Sequence, residues 1–168
     1  MKPHLVTLIL SAAVGGSVAG ALDLAYAFAV YGARGVPPLR ILHSIASGVM
    51  GKAAHQGGLE VGVFGAAIHF TIATLMAAAF ICLSLFEPRI LKAPVVCGAL
   101  YGAGLFALMN YVVVPMSAAY PGTRPVGWML MGSLMAHMAL VGVPIALITR
   151  WFFSCNESPG RTGWPGLC

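Results

Sequence analysis

Asp23, His69, Asn110 and His137 are the residues of this chain whose types could do chemistry together. Each lies inside a long apolar run, where a carboxylate, a carboxamide or an imidazole is costly and by default marks a functional site. The spacing puts each about four to ten residues from one end of its run, roughly 6–15 Å at 1.5 Å per helical residue. With successive runs alternating in direction, those ends fall on one face, and all four residues share a depth. That result survives inversion of the whole chain in a bilayer. It does not survive an additional crossing.

Four chemistries fit such a layer. The plainest is interhelical hydrogen bonding, worth about 0.6 kcal/mol per contact in lipid. Asp and His are also the usual intramembrane relay groups, and an Asp–His pair can exchange a proton near neutral pH, which fits a proton- or ion-linked transport site. Asp23, His69 and His137 are ligand types that suit zinc or iron, although no short-spaced pair such as H-x-x-x-H supports a metal. Finally, His69 and His137 suit axial ligation of haem b, with Gly65 and Gly132 leaving room for the ring.

The elements that must position these residues are the apolar runs at about 5–30, 61–86, 94–114 and 127–149, each close to the roughly 20 residues that cross a hydrocarbon core. The 168-residue chain is 60% hydrophobic and 8% charged, more apolar than a water-soluble fold of this size can conceal. The sequence therefore predicts an all-α membrane protein with four transmembrane helices in a single domain over residues 1–151. The first run has a rival reading as a secretory signal following Lys2, cleaved near 19–21 or 25–27. Its continuation to Val30 without a polar segment favours a retained span. The formal charge of +5 is distributed around the runs and forms no block. That argues against nucleic acid and for lipid headgroups as partners.

The connection over 31–60 is long. After Pro37 and Pro38, the residues Leu39, Leu42, Ala46, Val49 and Ala53 recur at helical spacing. Arg40 and Lys52 bracket only about 18 Å of helix, too short to span. An amphipathic interfacial or re-entrant helix at about 38–55 is the expectation. Tyr26, one turn after Asp23, would hydrogen-bond it. Arg40, His43, Lys52 and His55 would cap the layer, draw in an anion, or snorkel to headgroups.

Small residues give the facing. Ser11, Gly15, Ala19 and Asp23 form one row, and Gly65, His69, Ala73 and Ala77 another. Gly16–Gly20, Gly58–Gly62 and Gly98–Gly102 have the GxxxG spacing of helix contact faces, through which so small a bundle would form a homo-oligomer or join a larger complex. Pro115 and Pro144 would end or kink their helices. The terminal face carries Lys2, Arg89, Lys92, Arg150 and Arg161 against Arg34, Arg40, Lys52 and Arg124 opposite, a bias toward cytoplasmic termini. Cys82, Cys97, Cys155 and Cys168 fall on that same face, where a reducing cytosol would hold them as thiols. Residues 152–168 read as a disordered tail. No G-x-S-x-G, H-E-x-x-H or phosphate-binding glycine loop is present, so nothing points to an enzyme.

The stretch Asp23 to Gly58, the Gly65-x-x-x-His69 element, Met109-Asn110-Tyr111 and Ala136-His137-Met138 together resemble a group of uncharacterised bacterial four-span inner-membrane proteins, distantly similar to YagU-type proteins. The resemblance implies an inner-membrane location and a four-span architecture, and no reaction. On the residues, the expected function is that of a small proton-linked transporter or permease subunit. The alternatives are a structural or accessory subunit of a membrane complex, and a haem- or metal-binding membrane module.

Overall fold

The computed structural model describes residues 4–119 and 126–157. Lys2, Tyr120, Arg124, Arg161, Cys168 and the tail beyond Glu157 lie outside the described residues. Among those described there is no strand. Four helices are long and apolar enough to cross a membrane: α1 (Leu5–Gly32), α3 (Leu59–Phe86), α4 (Pro94–Met116) and α5, which crosses over Trp128–Cys155 and ends at Glu157. The chain is thus a multi-pass membrane protein by length and composition. The tail expected to be disordered from residue 152 is helical to Glu157, because Phe152 and Phe153 continue the apolar pattern of α5.

Between α1 and α3 lies a shorter helix, α2 (Pro38–Met50), followed by a 3-10 turn over Gly51–Gln56. Pro38 occupies the first helical position, where its missing N–H costs nothing. Gly51 ends the helix at φ 63°, a backbone region that glycine enters without steric penalty. The regular helix is therefore shorter than the expected 38–55 segment.

The bundle forms through two close crossings. A methyl group added to Gly16 would meet the Thr74 backbone, and one added to Gly20 would lie 3.0 Å from the Phe70 ring, so α1 packs directly on α3. Gly98, Gly102 and Gly142 seat α4 on α5 in the same way, with the Gly102 position facing the His137 carbonyl oxygen. Such approaches bring more backbone into van der Waals contact than larger residues allow. They also correct one expectation: the glycine faces at 16–20 and 98–102 meet other helices of the same chain and are not available to a second copy.

Helix α5 also packs on α1, and Ala19, Phe80, Leu105, Val141 and Ile145 form the shared core. Helices α3 and α4 are neighbours in sequence but stand apart. Tyr101 bridges them, its hydroxyl donating to the Met76 carbonyl at 2.7 Å and its ring meeting Phe80 edge-on. Tyr101→Phe keeps the ring contact and deletes the hydrogen bond. A loss of about 0.6 kcal/mol is expected, read as a small fall in the detergent unfolding midpoint.

Candidate functional site

The gap between α3 and α4 becomes a cavity of about 560 Å³ in the half of the bundle nearest α2. Asp23 of α1, His69 of α3 and His137 of α5 all line it. Helix α2 lies across it, contributing Ile41, Ser44, Ile45, Gly48 and Val49. The volume falls within the usual range for small-molecule sites, and the lining is mainly apolar with a few polar groups, the ordinary composition of such sites.

Asp23 and His137 form the central pair, with Oδ1 3.9 Å from Nδ1 and both side chains largely buried. The same Nδ1 faces the Ser133 carbonyl oxygen at 3.0 Å. His69 turns Nε2 to the Gly20 carbonyl oxygen of α1 at 2.9 Å, one turn before Asp23. A carbonyl oxygen only accepts, so in each ring the nitrogen facing it carries the proton. In the neutral form of each ring these contacts select the tautomer.

Asn110 does not join the group. Its Nδ2 donates to the Phe106 carbonyl of its own helix at 2.9 Å, and it is not part of the cavity wall. The cause is local. Helix α4 widens into a π turn over Met109–Val113, and α5 does the same over His137–Gly142. The N–H groups of Val114 and Val143 reach back five residues, to Met109 and Met138. Each π turn is followed two residues later by a proline, Pro115 or Pro144. A proline ring clashes with the carbonyl four residues before it, and a wider turn relieves that clash. The Asn110 amide and the His137 ring then each bond the carbonyl four residues back. Single π turns of this kind recur at functional sites.

The expected capping residues divide. Tyr26 does not hydrogen-bond Asp23: its hydroxyl is turned to α5, where a side chain on Gly132 would collide with it at 2.7 Å. His43 is buried at 3% exposure rather than snorkelling, with Nε2 donating to the Gly58 carbonyl at 2.9 Å, so it pins α2 to the start of α3. Arg40 donates to the His55 carbonyl at 2.9 Å and closes the 3-10 turn. Lys52 and His55 are exposed and take no part in the cavity wall.

Two of the alternative chemistries find no support. Among the described residues no three His, Cys, Asp or Glu side chains are arranged to hold a metal ion. The room for haem is also filled. Gly65 receives the Leu42 backbone of α2, and Gly132 receives the Tyr26 phenol. Cys82 and Cys97 are free thiols. Sequence reasoning missed Ser44, Ser117 and Tyr31 of the lining, because nothing in the apolar pattern of 31–60 or 114–119 shows which side chains turn inward.

No family model, no curated protein and no solved structure matches this chain.

Proposed function

We propose that this protein is a small proton-linked transporter or permease subunit of the bacterial inner membrane, with its termini cytoplasmic and α2 lying at the opposite interface. The carrying observation is the Asp23–His137 pair, 3.9 Å apart, on the wall of a small-molecule-sized cavity. A carboxylate beside an imidazole can take up a proton and release it again, and the net charge of the pair changes each time. The substrate occupies the apolar part of the cavity, and α2 is the element between it and one side of the membrane. The resemblance to four-span inner-membrane proteins agrees with this location.

The test is flux. Purified protein in vesicles, screened on a solid-supported membrane against small organic solutes with and without a pH gradient, should give substrate-dependent currents. Asp23→Asn, which preserves shape, should abolish them while the unfolding midpoint holds. His69→Ala should do the same. Unchanged currents in both variants retire the reading. One observation favours a second reading, a helix-locking layer in an accessory subunit of a larger complex: His69 Nε2 ties α3 to the α1 backbone. Absence of any current, together with a stoichiometric partner retained through mild detergent extraction, selects that one.

A further inference from the structure

The polar lining of the cavity is almost purely accepting. Nδ1 of His69 and Nε2 of His137, the ring nitrogens not turned to carbonyls, have no partner among the described residues. In a neutral imidazole that donates from one nitrogen, the other is an acceptor. The hydroxyl protons of Ser44 and Ser117 go to the carbonyls of Arg40 and Val114 at 3.0 and 2.8 Å, leaving only lone pairs, and Ser117 Oγ already accepts the Ala119 N–H at 3.3 Å. Among the described residues, the Asp23 carboxylate accepts no hydrogen bond from the protein, and His137 Nδ1 stands 3.9 Å from it. Among the described lining residues, Tyr31 keeps a hydroxyl proton to give.

Among the described residues, no Lys or Arg lines this wall. Arg34 lies 4.7 Å over the Trp128 ring and contacts the Met129 sulfur, and Arg40 closes the turn after α2. A buried carboxylate without a cation is costly unless something pairs with it. Acceptors clustered in an otherwise apolar cavity call for a ligand that brings donors and positive charge.

We infer that the cavity binds a small organic cation, a primary amine on an apolar body, with its ammonium group against Asp23 and the accepting nitrogens of His69 and His137. This rests on the reading of the cavity as a ligand site and names the substrate class for it. An organic acid would meet the Asp23 charge, and a neutral alcohol has a single donor for several acceptors.

The test uses the full chain in lipid nanodiscs and three ligands that share one apolar body: 4-phenylbutylamine, 4-phenylbutanol and 4-phenylbutyrate. Binding is measured by equilibrium dialysis against empty nanodiscs, which removes partition into lipid. The amine should bind saturably at one site per chain, about tenfold or more tighter than the alcohol, the ratio that a charge-assisted hydrogen bond supplies. The carboxylate should show no saturable binding. Asp23→Asn should remove the preference for the amine, and Asp23→Glu should keep it. Equal binding of amine and alcohol, preference for the carboxylate, or no saturable binding of the amine overturns the inference on the unmodified protein alone. Amine binding without any flux leaves the inference standing and removes the transport reading. Flux of uncharged solutes without amine selectivity does the reverse.

Discussion

Replacing Gly142 by alanine is expected to destabilise the bundle by about 3 kcal/mol or more, at or beyond the upper end of ordinary overpacking. The added methyl group would meet the Gly98 carbonyl oxygen and lie 2.6 Å from the Gly102 nitrogen and 2.8 Å from its Cα. All three are backbone atoms of α4, and no side chain is present that could swing away. Relief requires moving α4 off α5, which breaks the core contacts of Leu105 with Val141 and Ile145. Two controls carry the same chemical change without the clash. Gly15→Ala meets only ordinary contacts, Ala77 at 3.6 Å and Ile148 at 3.7 Å, and Gly104→Ala meets nothing within 4 Å. Both should be neutral or stabilising by up to about 1 kcal/mol, the helix-propensity difference. Detergent unfolding midpoints of the three variants check this directly. A Gly142→Ala protein as stable as the Gly104→Ala protein would show that the α4–α5 crossing is looser than described.

The four crossing helices were legible because hydrocarbon thickness demands about 20 apolar residues, and little else in a sequence looks like that. The small-residue rows also pointed to real contact faces, Gly16 and Gly20 on α3 and Gly98 and Gly102 on α5. What they could not show is whether such a face meets the same chain or another copy. Asn110 marks a different limit. Facing was inferred from 3.6 residues per turn, and that period fails where α4 widens at Met109–Val113. A partial signal was present: a polar residue a turn or two before a proline, Asn110 before Pro115 and His137 before Pro144, in both of the helices that widen. The cavity itself was not legible. It exists because α3 and α4 stay apart while Tyr101 spans them, and separations between helices leave no trace in periodicity.

The second large effect is expected at Gly65, where α2 rests on α3. A side chain there would strike the Leu42 carbonyl, with its carbon 3.0 Å away and the Ala46 nitrogen 3.3 Å away, so Gly65→Val sets a side chain against the backbone of α2. The rest of the bundle is untouched, because neither helix crossing involves this residue. Helix α2 can yield as a unit. Gly35 and Gly51 flank it with φ of 80° and 63°, and its other polar anchors include the His43–Gly58 contact and the Ala118 N–H to Gly48 carbonyl bond at 3.0 Å. An overpacking cost of about 1–3 kcal/mol on the covered state converts, at about 1.4 kcal/mol per factor of ten, to roughly five- to hundredfold more uncovered protein. A cysteine introduced at cavity-lining Ala73, with the native cysteines replaced, should then react with a membrane-impermeant thiol reagent faster by that factor. A cysteine at fully buried Ala146 should stay unreactive in both proteins, which separates uncovering from unfolding. Equal labelling of Ala73→Cys with and without Gly65→Val would mean that α2 does not control access to Asp23 and His137, and that entry runs between the lipid-facing helices instead.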